Sequence, residues 1–237
     1  MKKAIVFDFD GTLTNEKQNI WRLLWAWCGD DFGKDSLCNK LYKMHHIDQT
    51  ITREQWFKAT EMVFKAKKMT RYNIIDIAKN IKLLSGVKET IEYLHSLDYD
   101  LYIVSGGIKD AIYTALGDHV KYFNHIECNY CSFGNFGELS KLVPTHFDYE
   151  GKADFIEILK TQGYAPEDIT FIGNSVNDEW VHQTGCKTVC VNPTNTNYKD
   201  CQKWNKVFLN VTDLRQILIK VSHNVPKQLD TINHLEK

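Results

Sequence analysis

The run Ala4-Ile5-Val6-Phe7-Asp8-Phe9-Asp10-Gly11-Thr12-Leu13-Thr14 constrains this chain more than any other stretch. Its first half is apolar and rich in β-branched and aromatic residues, the pattern of a buried strand. It ends in two aspartates one residue apart. Side chains alternate along a strand, so Asp8 and Asp10 leave by one face and Phe9 by the other while the chain stays extended. Gly11 and Thr12 then end the strand. Two carboxylates at a strand's edge repel unless a cation lies between them or one keeps a proton. Burying such a pair uncompensated is costly, so the arrangement points to a site. An Asp-Gly pair alone would read only as a strand entering a turn.

Three later segments have related character. Leu101-Tyr102-Ile103-Val104-Ser105-Gly106-Gly107 is a second apolar strand ending in a hydroxyl and two glycines. Lys152 opens the helix-like stretch Lys152-Ala153-Asp154-Phe155-Ile156. The strand-like Ile169-Thr170-Phe171-Ile172 runs into Gly173-Asn174-Ser175-Val176-Asn177-Asp178. In order and spacing these segments, with Asp8-Phe9-Asp10-Gly11-Thr12, resemble the four signatures of the haloacid dehalogenase superfamily, over residues 1 to about 192. Most members of that superfamily are phosphohydrolases with an aspartate nucleophile.

The resemblance implies a division of labour that suits the residue types. A phosphate monoester repels nucleophiles through its charged oxygens, so its hydrolysis needs charge neutralisation and in-line positioning. Asp8 is the expected nucleophile and Asp10 the acid that protonates the leaving oxygen and later activates water. Ser105 and Gly106 are expected to bind phosphate, with Lys152 neutralising its charge; Lys141 is a rival without a helix-start pattern after it. The expected cofactor is Mg2+, held by Asp8, the backbone carbonyl of Asp10, Asn174, and Asp178 directly or through water. Magnesium takes hard oxygen ligands and keeps several waters. Asn174 departs from the family, which usually has Asp there, and the lost charge predicts weaker metal binding. A second departure is Lys17, with Glu16 beside it, where phosphoserine phosphatases place a Glu that reads the substrate's amino group. A cation there disfavours an ammonium, so phosphoserine is one candidate among several.

Four strand signals, at 4–8, 101–105, 169–172 and 187–191, are separated by helix-like segments at 87–97, 108–116, 151–162 and 177–184. The expected fold is α/β, a Rossmann-like parallel sheet with flanking helices and ligands at its carboxyl edge. Between Thr14 and Leu84 the pattern turns helical. Thr52-Arg53-Glu54-Gln55 reads as a capping box ahead of Trp56, Ala59, Met62, Val63 and Ala66 at helical spacing. Ile20, Leu23, Leu24 and Trp27 form an earlier amphipathic pattern. The resemblance makes this insert a helical cap of the phosphoserine phosphatase type. The expected domains are a core of 1–13 and 85–221, a cap of 14–84, and a tail of 222–237. Trp21, Trp25 and Trp27 are expected to pack within the cap, although Trp21 and Trp25, at i, i+4, share a face able to line a pocket.

Composition narrows the partners. With a formal net charge of −1 there is no basic footprint for nucleic acid and no polybasic signal for anionic membranes. The longest strongly apolar helix-like run, Ile20 to Cys28, is interrupted by Arg22, and a membrane span needs ~20 residues. Met1-Lys2-Lys3 leads directly into the first strand, so we expect no signal peptide and a cytoplasmic protein. Cys128-Asn129-Tyr130-Cys131 has CxxC spacing without a second ligand pair, in a stretch that reads as extended, and is expected to be coincidental. His45-His46 are adjacent, and adjacent helical residues do not face the same way. The expected function is thus a magnesium-dependent phosphomonoesterase acting on a small phosphorylated metabolite through an aspartyl-phosphate. The alternatives are a phosphotransferase or mutase on the same scaffold, or a non-catalytic phospho-ligand-binding protein with a weakened metal site.

Overall fold

The expected apolar run at 4–8 forms the central strand β1 (Lys3–Phe7), in which Ala4 to Phe7 are fully buried. A strand hydrophobic on both faces belongs inside a sheet covered by helices on each side. The computed structural model describes residues 2–15, 19–194 and 202–218. It places β1 between β2 (Tyr99–Ile108) and β5 (Ile169–Gly173), both parallel to it. Beyond these lie β3 (His125–Phe133) and β4 (Leu139–Val143) on one side, and β6 (Lys187–Val191) and β7 (Lys206–Phe208) on the other. The sheet order is β4-β3-β2-β1-β5-β6-β7, parallel except for the β3–β4 pair. The expected α/β architecture holds, with an antiparallel edge hairpin that the strand signals did not reveal.

The chain leaves the sheet after β1 and returns beside its point of departure. Thr14 bridges Leu83, and the Leu84 N–H donates to the Leu13 carbonyl at 2.9 Å. Between them lie α1 (Ile20–Trp27), α2 (Leu37–Tyr42), α3 (Arg53–Ala66) and α4 (Arg71–Ala78). The Thr52–Gln55 capping box forms as expected at the start of α3. The buried face of α3, however, is Phe57, Thr60, Glu61 and Phe64, while Met62 is exposed. Trp56, Ala59 and Val63 pack partly buried along the edge of this face, as their spacing predicts, while Met62 and Ala66 fall outside it. Glu61 tolerates burial because it accepts hydrogen bonds from the Leu142 N–H at 3.0 Å and from Lys65 at 2.8 Å, which also ties α3 to β4. In α1 the buried residues are Ile20, Leu24 and Trp25, whereas Trp27 is exposed. These helices and one face of the sheet share a single apolar cluster that includes Phe64, Ile74, Phe7 and Ile103.

The remaining helices are α5 (Val87–Ser96), α6 (Lys109–Leu116) and α7 (Glu150–Thr161), each close to its expected span. The expected helix at 177–184 is instead a 3-10 turn over Val176–Thr184. Asp178 explains the tight winding at its start. Its Oδ2 accepts the N–H groups of Asn174 at 2.9 Å and Ser175 at 3.0 Å, drawing the loop inward. Lys17 and Glu16 lie outside the described residues, as do the expected tail and the last residues assigned to the core. Among the described residues no helix is long and apolar enough to cross a membrane.

Candidate active site

The carboxyl ends of β1, β2 and β5 meet at the floor of a cavity of about 540 Å³, roofed by α1, α3 and the turn after α2. Asp8 follows the last residue of β1, and its N–H donates to the Ile172 carbonyl at 2.8 Å, which fixes it against β5. Lys152, on the first turn of α7, is fully buried and reaches back to the strand ends. Its Nζ lies 2.9 Å from Asp8 Oδ1 and 2.5 Å from Asp178 Oδ1. Lys141, the rival, is exposed on β4. Burial raises the Asp8 carboxyl above its ordinary value while the Lys152 ammonium beside it pulls it back down, and against the cost of its own burial the two carboxylates hold Lys152 above its ordinary value.

Asp10 sits on the turn that follows, half-buried, with its Oδ1 out of contact with solvent and without a hydrogen-bond partner. Burial first, and the charge of Asp8 second, push its carboxyl to about 7. Gly11 continues the turn at φ 81°. A Cβ there would come within 2.3 Å of Asn174 Nδ2, so glycine is required both by conformation and by the packing of the Asn174 loop on this turn. Ser105 is buried at the end of the regular part of β2, before a register shift that carries the strand on to Ile108. The Gly107 N–H donates to Ser105 Oγ at 3.1 Å, leaving the hydroxyl proton free to donate elsewhere. A Cβ on Gly107 would lie 3.2 Å from Asp10 Oδ2 and 3.3 Å from Ser105 Oγ, which shows how closely these groups converge. Asp8, Asp10, Ser105, Gly106 and Asn174 all line the cavity, with Lys152 and Asp178 buried behind them.

This arrangement suits a hard cation. Asp8, the Asp10 backbone and Asn174 offer oxygen donors, and the unpartnered buried Oδ1 of Asp10 marks a place short of positive charge. Asp178, by contrast, spends Oδ1 on Lys152 and Oδ2 on the backbone of Asn174 and Ser175, so its contacts hold the loop that presents Asn174.

Several lining residues were missed by the sequence reading or, as with Trp21 and Trp25, given there only as an alternative to packing within the cap. Arg53, from α3, donates to the Thr145 carbonyl at 2.5 Å and to Asn129 Oδ1 at 3.2 Å, and pairs with Asp148 at 3.4 Å. The capping box located Arg53 on a helix, but nothing local said that it would reach across to the sheet. Trp21 lines the cavity, and its Nε1 donates to the Gly106 carbonyl at 2.8 Å. Trp25 also borders the cavity, but is buried and packs edge-on against Phe64. His45 and His46, expected to diverge, both reach the cavity because they lie in a π-helical turn over Lys43–Ile47. The wider turn changes the angle between neighbours. His46 meets the Tyr149 hydroxyl at 2.6 Å, and burial lowers its ring to about 4. Cys128 and Cys131 pack in the apolar cluster of β3, where burial pushes both thiols up to about 12. Among the described residues there is no group of three His, Cys, Asp or Glu side chains arranged to hold a metal.

A parallel sheet whose central strand delivers paired aspartates to such a site defines a class. The chain belongs to the haloacid dehalogenase-like hydrolases, whose family pattern matches residues 2–180. A phosphoserine phosphatase of Archaeoglobus fulgidus is 26% identical over 183 residues, covering 75% of this chain and 48% of that protein. The chain therefore spans about half the length of that curated relative. Among solved structures, a substrate-bound phosphoserine phosphatase complex superposes with a TM-score of 0.73 at 21% identity, over 94% of this chain and 99% of that one. A phospho-aspartyl intermediate analogue of phosphoserine phosphatase gives a TM-score of 0.67 at 23% identity, over 93% and 99%. The fold is that of these enzymes.

Proposed function

We propose that this protein is a magnesium-dependent phosphomonoesterase that hydrolyses a small phosphorylated metabolite through an aspartyl-phosphate on Asp8. The observation that carries the reading is the buried Lys152, held between Asp8 and Asp178 beside the unpartnered Oδ1 of Asp10 and the free Ser105 hydroxyl. The relatives named as phosphoserine phosphatases, one of them captured as a phospho-aspartyl analogue, support the same chemistry.

In this reading a Ser105 hydroxyl and the glycine backbone grip the phosphoryl oxygens, and Lys152 keeps Asp8 ionised and aimed at phosphorus. Asp8 forms a bond to phosphorus as the ester oxygen leaves, and Asp10 gives that oxygen its proton. The now ionised Asp10 then takes a proton from water, which attacks the acyl-phosphate and releases phosphate and Asp8. Asp8, the Asp10 carbonyl and Asn174 would hold magnesium, which when bound would supply positive charge at the phosphoryl oxygens. The helical segment 14–84 serves as a cap that excludes water. A panel of phosphomonoesters assayed with magnesium and with EDTA tests the reading. Metal-dependent release of phosphate from at least one ester is expected. Binding of esters without turnover would favour the non-catalytic reading, and transfer to an added alcohol the phosphotransferase.

Asn174 makes a separate prediction. Restoring an anion by Asn174→Asp should tighten magnesium by about tenfold, roughly 1.4 kcal/mol. The variant also places a carboxylate beside Gly11, where the amide now packs. Catalysis need not rise, because the added charge opposes the incoming phosphate. Calorimetric magnesium titration checks this; an unchanged affinity would take Asn174 out of the metal shell.

A further inference from the structure

We propose that Trp21 and Asn129 are positioning residues for the phosphate-binding turn, and that Trp21 makes its geometry depend on the helical segment lying over the sheet edge. The inference rests on the proposed role of Ser105 and Gly106 as phosphate ligands. The Gly106 carbonyl accepts two hydrogen bonds, from Trp21 Nε1 at 2.8 Å and Asn129 Nδ2 at 2.7 Å. A carbonyl has two lone-pair sites, so both are filled. In a planar trans peptide the N–H of Gly107 points opposite to that carbonyl. Fixing the Gly106 oxygen therefore fixes the Gly107 N–H, which is the group that holds Ser105 Oγ at 3.1 Å. Through one rigid peptide the two donors hold the N–H that occupies one acceptor site of Ser105 Oγ and so keep the hydroxyl proton turned away from it.

Each donor is itself held in place. Asn129 is buried on β3, and its Oδ1 accepts the Thr145 N–H at 2.8 Å and Arg53 at 3.2 Å. A backbone N–H can only donate, so the amide's oxygen must face Thr145 and its NH2 must face Gly106. Trp21 enters from α1, whose start is fixed by Asn19 Oδ1 accepting the Trp21 N–H at 2.9 Å. Its indole is gripped edge-on by Trp56 and Phe57 of α3, with ring centroids 5.1 and 5.4 Å away. One donor thus comes from the sheet and the other from the helical segment. Displacing the segment would withdraw Trp21 from Gly106 and Arg53 from Asn129 together.

The test is calorimetric binding of inorganic phosphate in magnesium buffer, beside kcat and KM for p-nitrophenyl phosphate. Trp21→Phe keeps a ring between Trp56 and Phe57 but has no N–H, and phosphate should bind about two- to tenfold more weakly. Asn129→Asp keeps the acceptor for Thr145 and Arg53 but turns an oxygen toward the Gly106 carbonyl, for a loss of about five- to a hundredfold. In both variants kcat/KM should fall at least as far as phosphate affinity. Trp27→Phe, on the exposed side of α1, should match the parent. A role in packing alone would lower the thermal midpoint and leave the phosphate affinity of the folded protein untouched; that result in both variants would overturn the inference. If the parent binds phosphate, the variants weaken it, and no ester is hydrolysed, the inference stands and the hydrolase reading falls. A parent that binds no phosphate overturns the inference, and if it also hydrolyses no ester the hydrolase reading falls with it.

Discussion

Asp8→Asn is expected to fold normally and to lose all measurable turnover. An amide is too poor a nucleophile to form an acyl-phosphate, and the change also removes a charged oxygen from the proposed magnesium shell. Folding should survive because Lys152 retains Asp178 at 2.5 Å as a charged partner. Asp10→Asn gives the contrast. It leaves the nucleophile and its lysine intact but removes the proton donor, so the rate should drop by about 10²–10⁴ while phosphate still binds. Steady-state kinetics with phosphate binding measured alongside separates the two. Robust turnover by Asp8→Asn would remove it as nucleophile.

Lys152→Met is expected to damage stability as well as activity. Lys152 is fully buried, and both of its ionic partners are buried with it. Breaking a buried ion pair by deleting one side commonly costs about 3–5 kcal/mol, because the remaining charge is stranded away from water. For a chain of this size that corresponds to a fall in Tm of roughly 6–20 °C. Here two carboxylates would be left facing each other, and the loop that carries Asn174 would lose one of the contacts anchoring Asp178. Adding Asp178→Asn to the Lys152→Met variant removes one stranded charge and should restore part of the loss. The two changes together should therefore cost less than their sum. Thermal scans of the parent, the single variants and the double variant check this. Strict additivity would mean that the lysine does not compensate these carboxylates.

Much of the site was legible because its residues sit at the ends of strands whose apolar runs are unambiguous. Asp8, Ser105 and Asn174 each follow such a run, and the parallel sheet brings those ends to one edge. Lys152 was found from its place in the order of motifs, but its complete burial was not readable from a sequence in which lysine normally marks the surface. The helical segment was legible as helix, and Ile20, Leu23, Leu24, Trp56, Ala59 and Val63 do pack on the core, whereas Trp27, Met62 and Ala66 do not. Periodicity in α3 fixed the repeat, but Glu61 faces inward because Leu142 on a distant strand supplies its partner. Arg53, Asn129 and Asp148 meet through contacts 76 and 95 residues apart in sequence, and no local pattern encodes such pairings. His45 and His46 converge on the cavity for a backbone reason, the π turn, that side-chain spacing assumes away. β3 and the short edge strands β4 and β7 lack the long apolar runs that announced β1, β2, β5 and β6.

The central claim is a covalent phosphoryl group on Asp8, and chemical trapping tests it most directly. The parent is mixed with a turned-over phosphoester and magnesium, quenched in acid during steady state, and reduced with borohydride, which converts an aspartyl-phosphate to homoserine. Peptide sequencing by mass spectrometry should find homoserine at position 8 in the parent and not in Asp8→Asn. Turnover without any trapped residue at position 8, or with the phosphoryl group on another side chain, would contradict the account.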